Sequence, residues 1–163
     1  MQIQEFFDSR TGTLTYLLFD KQTHDAIVID PVLDYDPTSS EIWTESVGKV
    51  LAFLKQHQLH LHYILETHAH ADHLSGAQEV KRHYPKAKIA IGTRIIEVQS
   101  MFKTIFSLPD DFPTNGSQFD RLLQDNEEIT AGSFSIRVMN TPGHTPACAS
   151  YLIEDALFVG DLL

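Results

Sequence analysis

The sequence predicts a layered domain of mixed helices and strands, α/β or α+β. Three observations carry this: short β-rich apolar runs, interspersed stretches of helical periodicity, and connections of both hairpin and strand-to-helix type. The 163 residues suffice for one compact domain with a real core, so residues 1–163 read as a single domain.

Residues 13–19 (TLTYLLF) and 26–30 (AIVID) are apolar runs joined by polar residues 20–25, the pattern of a hairpin. Residues 31–37, bounded by Pro31 and Pro37, read as a loop. Thr38 with Glu41 three positions on has the form of a capping box. The helix it announces should run to about His57, with Ile42, Val47, Val50, Leu51 and Leu54 at helical spacing and Trp43 packing it onto the sheet. Residues 61–65 (LHYIL) form a short buried strand, and residues 76–83 a helix stopped by Pro85. A strand over 88–91 and a helix over 93–105 precede a loop at 107–118, which holds Pro109, Pro113, Asn115 and Gly116. Three further strands are expected over 134–139, 148–153 and 156–159. No internal repeat or low-complexity segment interrupts this order.

Composition narrows the function. Twelve Lys and Arg face 22 Asp and Glu, a formal charge of −10, which argues against a nucleic-acid partner because phosphate neutralisation needs a basic face. The single Cys148 excludes an internal disulfide framework and fits a reducing compartment. Residues 1–10 lack the apolar core of a secretory signal, and no apolar run approaches the ~20 residues of a membrane span. A cytoplasmic location with no membrane partner is the expectation.

The chemistry concentrates in residues 66–76, Glu-Thr-His-Ala-His-Ala-Asp-His-Leu-Ser-Gly. His68, His70, Asp72 and His73 fall within six positions after a buried strand. Residues two apart on an extended backbone project to one side, so His68 and His70 can face one metal, while Asp72 and His73 can serve a neighbouring position. Imidazole suits zinc, iron, copper or nickel, and a carboxylate adds a harder donor. Pro142 and Gly143 set a tight turn that presents His144 between two strands, and Val159-Gly160-Asp161 ends the last apolar run.

The order HxHxDH, Thr-Pro-Gly-His-Thr, then a strand ending in Gly-Asp resembles the metallo-β-lactamase superfamily. The resemblance implies an α+β fold, an αββα sandwich with these loops at one edge of two packed sheets. It covers the chain from Thr13 onward. Residues 66–76 look closest to the persulfide dioxygenases and the related glyoxalase II branch, and residues 30–37 (DPVLDYDP) are similar to bacterial persulfide dioxygenases. Glyoxalase II enzymes carry bulkier text at the positions of Ala69 and Ala71. Members of the family continue well past the Gly-Asp strand, so the resemblance also implies that this chain lacks much of the C-terminal half, including residues that hold glutathione.

Two chemistries follow from the resemblance. In a persulfide dioxygenase, His68, His144 and Asp161 would hold one iron(II), leaving positions for O₂ and glutathione persulfide, with His70, Asp72 and His73 as supporting residues. In a glyoxalase II-type hydrolase, His68, His70 and His144 would hold one zinc, Asp72 and His73 part of a second, with Asp161 bridging, and a bridging hydroxide would attack a thioester such as S-lactoylglutathione. That second set also calls for a downstream histidine, so the iron triad is the set these residues complete. A third expectation, of another class, is a catalytically silent assembly module that self-associates, as a homodimer, through an uncovered sheet.

Other residues take plainer roles. His60 and His62 read as surface residues, His24 as a turn residue, and His57 and His83 as helix-terminal residues favoured by the dipole. Cys148 reads as a small core residue, and the pairs Asp110-Asp111 and Glu127-Glu128 as solvated charge.

Overall fold

A computed structural model describes residues 1–70 and 73–162. In chain order the elements are β1 (Gln2–Asp8), β2 (Thr13–Phe19), β3 (Asp25–Ile29), β4 (Val32–Asp36), β5 (Glu41–Trp43), α1 (Glu45–Gln56), β6 (His60–Glu66), β7 (Leu74–Ser75) and α2 (Ala77–His83). There follow β8 (Lys88–Gly92), α3 (Ile95–Ile105), β9 (Arg121–Leu123), β10 (Glu128–Ala131), β11 (Phe134–Asn140), β12 (Ala149–Ile153), β13 (Ala156–Phe158) and a 3-10 turn, Gly160–Leu162. The class is α+β, as expected.

The larger sheet has the order β1-β2-β3-β6-β8-β9. Its first three strands form an antiparallel meander, and β6, β8 and β9 continue it in parallel from β3. Alternation along these strands divides the core in two. Leu18, Ile27, Ile29, Leu65 and Ala90 face the second sheet, β10-β11-β12-β13, and meet Phe134, Ile136, Val138, Tyr151 and Ile153. Leu17, Val28, Ile64 and Ile89 face the other way, onto Val47, Val50 and Leu54 of α1 and Val80 of α2. Both faces of β3 and of the second half of β6 are therefore dry, which explains the apolar runs Ala26–Ile29 and Tyr63–Leu65. On the far face of β11, Ser135 and Arg137 are exposed. The described residues thus form helix, sheet and sheet; the second helical layer of the implied sandwich is not among them.

Three expectations are corrected. Residues 32–36 and 41–43 are strands, not loop and helix: Asp34, Tyr35 and Asp36 pair with Trp43, Ile42 and Glu41. The reason is local, since the Asp36 carboxylate accepts the Thr38 N–H at 2.7 Å and closes a turn where the capping box was expected. Helix α1 therefore starts at Glu45, and its cap comes from elsewhere in the chain. The buried Asp34 carboxylate accepts the Ser46 N–H at 2.9 Å and the Ser46 hydroxyl at 2.8 Å. Trp43, expected on the helix and packing it onto the sheet, lies instead on β5, with its ring under the Arg10 guanidinium, 4.6 Å away. Strands β1, β9 and β10 were not foreseen, because an edge strand of mixed polarity and two runs of three and four residues carry little periodicity.

Candidate metal centre

The site lies where the C-terminal ends of β3 and β6 meet the loops flanking β12 and β13. Two bonds lock the sheets together there: Ala149 N–H donates to the Thr67 carbonyl at 2.8 Å, and the buried Tyr151 hydroxyl donates to the Glu66 carbonyl at 2.7 Å. They place the loop after β6 against the loop before β12.

His68, His144 and Asp161 converge, each offering a ligand atom within 4.8 Å of the others. Asp161 Oδ2 stands 3.8 Å from Nε2 of His68 and 3.8 Å from Nε2 of His144. His68 is 1% exposed, and its Nε2 is buried without a hydrogen-bond partner among the described residues. Such an atom is a poor choice for a packed core and a good one for a metal ligand. Its other nitrogen, Nδ1, is 3.0 Å from the Thr67 hydroxyl, which orients the ring. Burial first, then the neighbouring His70, pushes the His68 pKa down, keeping the imidazole neutral as a donor must be. The donor set of two imidazoles and a carboxylate fits a transition-metal ion.

His144 rides on the Pro142-Gly143 turn, closed by Gly143 N–H to the Thr145 carbonyl at 3.2 Å. Cys148 is buried, and its sulfur accepts the Thr145 N–H at 3.2 Å, pinning the residue after the ligand. Asp161 depends on Gly160, whose φ of +57° and close approach to Thr67 leave no room for a side chain: a Cβ would lie 2.4 Å from the Thr67 hydroxyl oxygen.

His70 stands beside this triad but is directed elsewhere. Its ring lies 4.1 Å from that of His68, yet its Nε2 contacts Asp30 Oδ1 at 3.1 Å and Glu66 Oε2 at 3.0 Å. Burial opposes a charge on this ring, but the hydrogen bonds to Asp30 and Glu66 outweigh it and raise the pKa to about 10. For Asp30, burial is again outweighed, here by His70 and two bonds from Thr67, and its pKa falls below the ordinary range. Burial dominates at Glu66 and pushes it up. Asp30, Glu66 and His70 form a second convergence, with ligand atoms within 4.8 Å of one another. His73 is buried, with its ring 4.1 Å from that of His70 and its Nδ1 3.3 Å from the Thr13 hydroxyl. Asp72 lies outside the described residues.

The sequence patterns match this geometry. The model of the family described as Metallo-beta-lactamase superfamily matches residues 9–163. The chain belongs to that superfamily. Members are typically metal-dependent enzymes. The chain is 47% identical over 163 residues to a protein of Dictyostelium discoideum named Glyoxylase B2, covering 99% of this chain and 56% of that one. It is 28% identical to the human mitochondrial Persulfide dioxygenase ETHE1, covering 99% and 52%. The crystal structure of ETHE1 from Myxococcus xanthus superposes with a TM-score of 0.73 at 26% identity, over 96% of this chain and 56% of that one. The chain thus spans about half the length of these metallo-beta-lactamase relatives. No helix among the described residues is long and apolar enough to cross a membrane.

Sequence reasoning assigned no role to Asp30, Glu66 or Thr67, which hold His70 and His68. The available signal was a carboxylate at the end of each apolar run, Asp30 after AIVI and Glu66 after YIL. His62 is likewise more than a surface residue, since its Nε2 meets Asp25 Oδ1 at 2.6 Å. Glu127 is not merely solvated: it accepts the Gln124 N–H and pairs with Arg121.

Proposed function

We propose that His68, His144 and Asp161 hold one iron(II), and that the protein containing this chain oxidises glutathione persulfide to sulfite and glutathione. The observation that carries this reading is the division of labour between the first two histidines. His68 presents a buried Nε2, without a hydrogen-bond partner among the described residues, to Asp161 and His144, whereas His70 Nε2 is engaged by two carboxylates. Three donors favour a mononuclear facial site over a pair of metals sharing His70. The likeness to the human Persulfide dioxygenase ETHE1 and to the ETHE1 structure from Myxococcus xanthus supports the same branch.

When bound, the metal supplies redox chemistry and open positions for a sulfur ligand and O₂. In the overall reaction persulfide, O₂ and water give thiol and sulfite; the sulfur–sulfur bond breaks, the outer sulfur is oxidised and O₂ is reduced. The chain's own residues supply the frame. Thr67 fixes the His68 ring, the Pro142-Gly143 turn fixes His144, and Gly160 brings Asp161 against Thr67. Asp30 and Glu66 hold His70 beside the triad, with His73 and Asp72 as further supporting residues.

The second reading, a dinuclear zinc thioester hydrolase, is favoured by the 47% likeness to Glyoxylase B2 and by the buried Nδ1 of His70, which has no hydrogen-bond partner among the described residues. Elemental analysis after anaerobic purification separates the two. About one iron per chain, with oxygen uptake and sulfite release on adding glutathione persulfide, is the expected result. About two zinc per chain with hydrolysis of S-lactoylglutathione would overturn it. Self-association is a separate reading, supported by the uncovered face of the smaller sheet and by Leu157, 51% exposed on its edge strand. Sedimentation as a monomer at tens of micromolar would refute it.

A further inference from the structure

A cavity of about 640 Å³ opens beside the histidine cluster, within the ~300–1,000 Å³ range of small-molecule sites. Its inner wall is formed by His70 and His73, its outer wall by Arg10, Tyr35, Asp36 and Trp43. A second cavity, of about 450 Å³, reaches Asp161 and shares His70 and Thr11 with the first. A molecule with a reactive sulfur at the triad thus has an adjoining chamber for its body.

Arg10 is the one Lys or Arg among the described residues lining these two cavities. It is held in place. Its guanidinium lies over the Trp43 ring at 4.6 Å, and Nη1 is 3.7 Å from the buried Asp34 carboxylate. Asp8 accepts the Arg10 N–H at 2.8 Å, fixing the loop that carries it. The side chain nonetheless remains 55% exposed, and Asp34 at that distance leaves most of its five N–H donors available. In a chain of net charge −10, a pre-ordered cation at the mouth of a cavity has a specific use. Asp36 on the same wall adds an anion, which suits a ligand carrying an ammonium group next to its carboxylate.

We propose that this cavity binds the amino-acid end of the substrate's thiol carrier, with Arg10, stacked on Trp43, receiving an α-carboxylate. Arg10 is then a specificity-determining residue rather than a catalytic one. The inference rests on the persulfide reading for the substrate's identity, but the anion-binding site can be tested without turnover. Trp43 is the sole tryptophan, so its fluorescence reports on the cavity directly.

The test titrates the protein with S-methylglutathione and with its dimethyl ester, following Trp43 fluorescence and, in parallel, binding heat. Saturable binding of the free acid is expected. The Arg10→Gln variant should bind it about tenfold more weakly, the loss expected for one charge-assisted carboxylate contact. The diester should bind the unaltered protein about as weakly as the acid binds the variant. Equal binding of acid and diester, equal affinity in the variant, or no saturable binding would each overturn the proposal. In turnover with glutathione persulfide, Arg10→Gln should raise KM and leave kcat unchanged. Turnover with an unaltered KM sinks the carboxylate site and spares the reaction; Arg10-dependent binding without any oxygen uptake does the reverse.

Discussion

At the residue scale the site depends on a few side chains whose alternatives are physically poor. His68 is the clearest, a buried imidazole with one nitrogen oriented by Thr67 and the other without a hydrogen-bond partner among the described residues. His68→Ala, His144→Ala and Asp161→Asn should each reduce bound metal to below about a tenth of an equivalent by elemental analysis, since two remaining donors hold a divalent ion weakly. His70→Ala should retain the metal if the triad is mononuclear. Retention of iron in that variant separates the two site readings as cleanly as the metal count does. Gly160→Ala carries a different cost: its φ of +57° and the 2.4 Å approach to Thr67 require the turn to move. A loss of about 1–3 kcal/mol in chemical denaturation, together with weaker metal binding, is the expected outcome.

At the element scale, local pattern and long-range contact divide the work. Helix α1 buries Val47, Val50 and Leu54 against the larger sheet, and Leu54→Ala should cost about 2–5 kcal/mol, read as a lower denaturant midpoint. At the end of the sheets away from the metal residues, Asp25 links β3 to β6 and to the turn between β10 and β11. It accepts from His62 at 2.6 Å and from the Ser133 N–H at 2.8 Å. Burial works against ionisation of Asp25, but His62, Thr23 and Ser133 prevail and lower its pKa. A depressed carboxylate contributes stability above its unfolded value and loses it as pH falls through the folded one. The stability gap between the unaltered protein and Asp25→Asn should therefore be full at pH 7 and shrink below about pH 4, as followed by urea melts across pH. A gap that is constant from pH 7 to pH 3 would mean that the carboxylate's charge is not what ties these turns.

At the scale of the whole molecule, two sheets packed face to face bring residues 68, 144 and 161 together across nearly a hundred positions. Half of the layering was legible beforehand. Strand β2 falls on the residues read as TLTYLLF, β6 on LHYIL with one residue more at each end, and the three late strands follow in the expected order. The runs that failed were short or polar, and their pairing depends on partners distant in sequence. Thr38 shows why: its local text fits a helix cap, but the Asp36 turn and the register of β4 on β5 decide otherwise. No short-range rule contains that register.

The sequence by itself determined that the chain carries a histidine-aspartate metal apparatus, because ligand identity and order are written in one dimension. It also determined that residues 26–30 form an apolar run and residues 61–65 a short buried strand. Only the tertiary structure decided which nitrogen of which histidine is open. Asp30 follows β3 and Glu66 ends β6, and both can reach His70 only once β3 and β6 are side by side. The same holds for Arg10, which becomes a pre-ordered cation only when the β5 strand brings Trp43 beneath it. A residue's chemistry is local, but its burial and its partners are properties of the packed chain.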